Sequence, residues 1–272
     1  RNIMIADRMV ALVQGSSVIR AMFEEGKRLA GIYGAENVYD YSLGNPSVAP
    51  PKEIEEAIKE IIDSEAPTLV HGYMSNAGYE DCRQAVAEFL NKTHGTNFGV
   101  RNIMMCVGAA GGMNVAFRAL LNPQDEVLTF APYFGEYKNY VSNFDGVLRA
   151  VSPNTETFQP NLVEFEQMIN EKTKAVIVNS PNNPTGVVYS EETIKKLAEI
   201  MEKKQKEYGN TIYLIADEPY RELAYDGVEV PYLTKYYNNT VVCYSFSKSL
   251  SLPGERIGYL VIPDELDYAD DV

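Results

Sequence analysis

The residues whose types suggest covalent chemistry lie in one stretch, Tyr244-Ser245-Phe246-Ser247-Lys248-Ser249-Leu250-Ser251-Leu252-Pro253-Gly254-Glu255-Arg256-Ile257-Gly258-Tyr259. The apolar run Val241-Val242-Cys243-Tyr244 before it reads as a buried strand. Lys248 therefore stands where a strand gives way to an irregular, Ser- and Gly-rich segment. A strand end fixes an amine in space, and small neighbours leave room for a ligand. Arg256 follows Lys248 at a short interval, and Ser245 and Ser247 flank the lysine. An arginine fork with hydroxyls suits a phosphate, and a fixed amine in a site of low polarity suits an imine. Together they fit a phosphorylated aldehyde, pyridoxal 5′-phosphate (PLP), bound as a Schiff base. Taken alone, a lysine in a Ser-rich turn is more often a solvated residue, so the argument depends on the elements around it.

Those elements alternate. The patterns predict a helix from Ser16-Ser17 through about Leu29, and a short strand at 41–46 breaking into a Gly-Pro loop. Pro50-Pro51 opens a helix over 52–64, with Ile54, Ile58, Ile61 and Ile62 at helical spacing. A loop over 71–78 precedes a helix from Tyr79 to about Asn91. The strand Ile103-Met104-Met105-Cys106-Val107 runs into the small-residue turn Gly108-Ala109-Ala110-Gly111-Gly112, and a buried helix follows. Strand, small-residue turn and helix together make a phosphate site, because the first helical N–H groups are unsatisfied. The turn is neither GxGxxG nor a P-loop, which disfavours dinucleotides and nucleoside triphosphates. Further strands are expected at 126–130, 147–151, 173–179, 212–216 and 259–262, with a helix over 191–208.

This alternation predicts an α/β fold with an open, mostly parallel sheet flanked by helices. In such sheets ligands bind outside the C-terminal ends of the strands. Four polar clusters fall at such ends: 108–112, 180–186, 217–220 and 245–248. Scattered surface polarity would not arrange itself so.

Composition narrows the partners. The 272 residues carry 38 acids against 24 bases, a net charge of −14, which disfavours nucleic acid and anionic membrane. No apolar run is long enough to span a bilayer, and no signal-peptide pattern opens the chain. Cys82, Cys106 and Cys243 are far apart, only His71 and His94 could join them, and no metal site is expected. Unpaired cysteines fit a reducing cytoplasm.

Read jointly, Asn183-Pro184-Thr185-Gly186, the Asp217-x-x-Tyr220 pair, the Ser-x-Ser-Lys248 segment and Arg256-x-Gly258 resemble the class I/II aminotransferases of the aspartate aminotransferase fold. Tyr73 with Gly78, and the small-residue turn at 108–110, resemble further signatures of that family. The resemblance extends from about Leu43 to Ile262. It implies PLP-dependent transferase fold type I with part of a smaller α+β domain. Residues 1–44 would belong to the small domain and 45–272 to the large PLP-binding domain.

Carried over residue by residue, Lys248 resembles the imine-forming lysine that also moves a proton to and from the substrate's Cα. Asp217 resembles the carboxylate that pairs with the pyridine nitrogen. Asn183 and Tyr220 resemble the residues that bond the ring's phenolic oxygen, and Phe134 stands where the family stacks an aromatic ring on the cofactor. Ala109, Ala110, Ser245, Ser247 and Arg256 resemble the phosphate ligands. Tyr73 resembles the tyrosine that reaches the phosphate of a neighbouring subunit in a homodimer. Gly44 resembles a residue near the substrate carboxylate.

Two departures stand out. The family continues past residue 262, and its arginine for the substrate α-carboxylate lies in the part beyond, so the chain reads as a fragment, a proteolysed product or a partly ordered protein. The run Leu252-Pro253-Gly254-Glu255 also differs from many members. The resemblance implies an aminotransferase working between an L-amino acid and a 2-oxo acid by a ping-pong route. Two alternatives stay open: a PLP-dependent β-lyase of the same fold, and a PLP-binding sensor domain without turnover. The first 44 residues carry no basic helix-turn-helix pattern, which weighs against the sensor.

Overall fold

The computed structural model describes residues 5–14 and 18–272, in two compact units, Arg1–Ser47 and Val48–Val272. The first unit holds helices α1 (Asp7–Gln14) and α2 (Val18–Tyr33). The expected Ser16-Ser17 cap lies outside the described residues, and α2 runs one turn beyond its expected end at Leu29. The strand expected at 41–46 does not form. Asp40 Oδ1 instead accepts the Ser42 N–H at 2.8 Å, a local turn that competes with a ladder. Tyr41 and Leu43 are exposed, so no buried face drives a strand there.

The second unit is built on one seven-stranded sheet in the order β1-β7-β6-β5-β4-β2-β3. The strands are β1 (Ile103–Val107), β2 (Glu126–Phe130), β3 (Val147–Val151), β4 (Thr173–Asn179), β5 (Tyr213–Asp217), β6 (Thr240–Ser245) and β7 (Ile257–Val261). The pairs β2–β3, β2–β4, β4–β5 and β5–β6 are parallel. Strand β7 runs against both β6 and β1, so β1 points the same way as the rest. All residues of β5 and β6 are buried, which explains why these strands read as continuous apolar runs rather than alternating ones.

The helices of this unit are α3 (Lys52–Ser64), α4 (Pro67–Val70), α5 (Glu80–His94), α6 (Gly108–Leu120), α7 (Tyr137–Ser142), α8 (Leu162–Met168), α9 (Glu191–Tyr208) and α10 (Phe246–Ser249). Helices α5, α8 and α9 cover one face of the sheet, and α6 and α7 cover the other. Leu197 and Met201 of α9 pack with Val176, Val178 and Leu214 on one face, and Met113 and Phe117 of α6 pack with Ile177, Ile215 and Val241 on the other. Helices α3 and α9 have the bounds their spacing predicts. Ser190 caps α9 by accepting the Thr193 N–H at 3.1 Å.

Two local expectations change. The Gly108–Gly112 segment is the first turn of α6 itself, not a turn before it. Lys248 sits on the single helical turn α10 instead of an irregular segment, because Ser245 Oγ caps that turn by accepting the Ser247 N–H at 3.0 Å.

Candidate active site

Strands β1, β4, β5 and β6 all point one way, so the clusters that follow them share one edge of the sheet. The antiparallel β7 adds something the others cannot. Its beginning lies at that same edge, which brings Arg256, the residue before it, alongside the ends of the parallel strands.

Asp217 closes β5 and is 6% exposed. It lies in register with Asn179 at the end of β4 and Cys243 on β6. Its Oδ2 accepts the Tyr137 hydroxyl at 2.5 Å, whereas its Oδ1 is buried with no hydrogen-bond partner among the described residues. Burial pushes the Asp217 carboxyl up to about 6, opposed by the Tyr137 hydrogen bond and reinforced by the nearby Glu218. Tyr220 follows in the turn after β5, and its hydroxyl accepts the Asn183 Nδ2–H at 3.2 Å. Asn183 itself is anchored through its backbone N–H, which donates to Asn179 Oδ1 at 2.7 Å. The structure thus joins Asp217, Asn183 and Tyr220 into one wall.

The other end of the edge brings Arg256 against the first turn of α6. Gly108 has φ +67°, and a Cβ there would lie 2.8 Å from Arg256 Nη2, so only glycine lets the guanidinium sit over the start of α6. Gly258 pairs with Cys106 on one side and Ser245 on the other. A Cβ on it would reach the Gly108 backbone at 2.9 Å, so β7 and the start of α6 pack main chain to main chain. The Ser245 and Ser247 hydroxyls lie 2.6 Å apart. Arg256 adopts φ +55°, and its Nη1 donates to the Pro253 carbonyl at 2.9 Å, which aims the side chain. Ala109 and Ala110 occupy the first turn of α6, with unsatisfied N–H groups and a favourable helix dipole. Ala109 is pinned from below by Cys243 Sγ, which donates to its carbonyl at 3.1 Å.

Lys248 is half-buried, and that burial holds its ammonium below the usual lysine range. Phe134 follows β2 and meets Tyr137 edge-on, with ring centroids 5.7 Å apart. Tyr73 is fully exposed on its own chain. Gly44 belongs to the first unit.

Three contributors escaped the sequence reading. Tyr137 carries the hydroxyl on Asp217, Asn179 donates to the Asp217 carbonyl at 2.9 Å, and Cys243 supports Ala109. Asn179 ends an apolar strand, the one signal that could have drawn notice. Tyr137 has none, because only the path of α7 brings it to β5. Glu218 and Arg221 also form a buried bidentate pair at 2.7 and 2.8 Å beside Tyr220. Among the described residues no group of three or more His, Cys, Asp or Glu is placed to hold a metal ion.

The family model described as aminotransferase class I and II matches residues 35–269. The chain belongs to that family. It is 32% identical over 268 residues to an aspartate aminotransferase of Pyrococcus horikoshii, covering 98% of this chain and 64% of that protein. It is 34% identical over 234 residues to a probable aspartate/prephenate aminotransferase of Aquifex aeolicus, covering 84% of this chain and 57% of that one. The chain therefore spans less than two thirds of the length of these curated relatives. Among solved structures, an amino transferase of Eubacterium rectale is 51% identical with a TM-score of 0.95, covering 99% of this chain and 68% of that one. The aspartate aminotransferase of Thermus thermophilus, solved with maleate, is 28% identical with a TM-score of 0.84, covering 99% and 67%. The aminotransferase-family chain thus has the α/β fold of these enzymes, consistent with PLP-dependent transferase fold type I.

Proposed function

We propose that the protein is a PLP-dependent aminotransferase, moving an amino group between an L-amino acid and a 2-oxo acid by a ping-pong route through a Schiff base on Lys248. The observation that carries this reading is Asp217 Oδ1, a buried carboxylate oxygen with no partner among the described residues. Such an atom is costly unless a cation or donor meets it, and a protonated ring nitrogen is such a partner. When bound, PLP supplies an aldehyde for the amine and a ring that withdraws electrons from the substrate's Cα.

The chain's own residues then have distinct tasks. Asp217 holds the proton on the ring nitrogen. Asn183 and Tyr220 would meet the ring's phenolic oxygen, and Phe134 would pack against the ring. The N–H groups of Ala109 and Ala110, the hydroxyls of Ser245 and Ser247, and Arg256 hold the phosphate. Lys248 would hold the cofactor covalently and, as a free neutral amine once displaced, would carry the proton at the substrate's Cα; its depressed pKa favours the neutral form. Tyr73 reaches the phosphate of a second copy in a homodimer, which its full exposure on one chain permits. Residues 1–44 belong to a small domain that carries Gly44 near the substrate carboxylate. Three free cysteines support a cytoplasmic setting, and no described helix is long and apolar enough to cross a membrane.

The test mixes the PLP-loaded full-length protein with a panel of L-amino acids, aspartate first because relatives are named for it. Loss of the imine absorption band with release of the matching 2-oxo acid supports the proposal. Pyruvate and ammonia without any requirement for a 2-oxo acid would instead support a β-lyase, and no spectral change with any amino acid would support a sensor.

A further inference from the structure

Asp217 uses its two oxygens unequally. Oδ2 takes the Tyr137 hydroxyl at 2.5 Å, and Oδ1 is left buried and unpaired among the described residues. The tyrosine is as enclosed as its partner, at 1% exposure, and its ring is held edge-on to Phe134 and stacked on Tyr133. The carboxylate is fixed from the backbone as well, through the Asn179 donation to its carbonyl and the β4–β5 register. Turning the carboxyl away from this orientation would break the Tyr137 bond, so the pairing fixes the orientation in which the other oxygen is presented.

We infer that Tyr137 is the positioning residue that keeps Asp217 ionised and turns Oδ1 toward a cationic ring nitrogen. The chemistry of the donor matters. A charged donor on Oδ2, such as an imidazolium or guanidinium, would neutralise the carboxylate and repel the ring cation. A phenol donates one hydrogen bond and adds no charge. Tyr137 also stays protonated, because burial and the neighbouring Asp217 push its hydroxyl well above the usual tyrosine range. The groups that face Asp217 include Glu218 from its own strand end, Tyr220 from the following turn, Cys243 from β6 and Tyr140 from α7. None of them brings a positive charge, and Glu218 disfavours ionisation. Tyr137 is therefore the hydrogen-bond donor that works for the ionised form.

This role rests on the PLP reading for its purpose but not for its measurement. Full-length apoprotein labelled with ¹³C at the aspartate carboxyls is titrated by NMR, and Asp217→Asn identifies the Asp217 signal. Tyr137→Phe keeps the ring and removes the hydroxyl; the Asp217 pKa is expected to rise by at least about one unit, a tenfold change in proton affinity. Tyr133→Leu, which disturbs the same stack without touching the bond, is expected to leave it unchanged. PLP affinity near neutral pH is expected to fall at least about tenfold in Tyr137→Phe but not when the same change is made in an Asp217→Ala background. If Tyr137→Phe does not fold, a difluorotyrosine placed at 137 is a stronger donor of the same shape and should lower the Asp217 pKa. An unmoved Asp217 pKa in either folded variant overturns the inference, even if PLP binds. Apoprotein that binds no PLP while the pKa moves would count against the function proposed above and leave the Tyr137 bond standing.

Discussion

Asn179 and Asp217 lie side by side at the ends of adjacent parallel strands, and the Asn179 side-chain amide donates to the Asp217 carbonyl at 2.9 Å. The same side chain accepts the Asn183 N–H at 2.7 Å. One buried asparagine thus joins the strand that carries the carboxylate to the turn that carries Asn183.

Replacing Asn179 by alanine removes these partners from one buried backbone carbonyl, of Asp217, and one half-buried N–H, of Asn183. At about 1–3 kcal/mol for each such group, the loss is about 2–6 kcal/mol of folding stability. Urea unfolding measures it, and PLP retention is expected to weaken in parallel. A change below about 0.5 kcal/mol would mean that water replaces both bonds.

The Asp217 carboxyl in the folded chain lies above its ordinary 3.8, at about 6, so ionising it in the apoprotein opposes folding. Between those values the folded state binds more protons than the unfolded one. Asp217's contribution to stability is then greatest below pH 4 and falls as the pH rises to about 6, by about 3 kcal/mol for a shift of about two units. Subtracting the Asp217→Asn curve from the wild-type curve isolates this contribution. A difference curve that is flat from pH 4 to 7 would show that Asp217 is not desolvated.

Much of this was legible in the chain. Buried parallel strands announce themselves as apolar runs, and the polar clusters expected at their ends do lie together at one edge of the sheet. What stayed hidden has a common physical cause: it depends on tertiary approach. Tyr137 looks like an ordinary helix residue until α7 carries it to β5. The 41–46 stretch looks strand-like because Tyr41 and Leu43 are apolar, but a side-chain turn at Asp40 and the lack of a buried face decide otherwise. Gly108–Gly112 reads as a turn because glycines disfavour helices, yet the close approach of Arg256 and β7 demands small residues in the first turn of α6.

That close approach gives a third prediction. Gly258→Ala would drive a methyl into the Tyr244 carbonyl and the Gly108 backbone, where neither segment can yield without shifting the start of α6. The expected cost is about 1–3 kcal/mol in thermal stability, with weaker inorganic phosphate binding by calorimetry. Wild-type phosphate affinity in a folded Gly258→Ala variant would contradict the described packing.

The Glu218–Arg221 pair is 3% and 10% exposed at its side chains, and Arg221 also donates to the Val230 and Pro231 carbonyls at 2.8 Å. Removing one partner strands a buried charge. Arg221→Met is expected to cost about 3–5 kcal/mol, and the double variant Glu218→Gln with Arg221→Met less than that. Chemical denaturation of the three proteins decides the matter; equal losses in single and double variants would mean the carbonyl bonds, not the ion pair, dominate.

Lys248 is the residue proposed to bind PLP. Borohydride reduction of the PLP-loaded full-length protein, followed by peptide mapping, tests it directly. One pyridoxyl group is expected, on Lys248, and none in Lys248→Ala. A pyridoxyl group on another lysine of the wild-type protein, or no stable adduct at all, would contradict it.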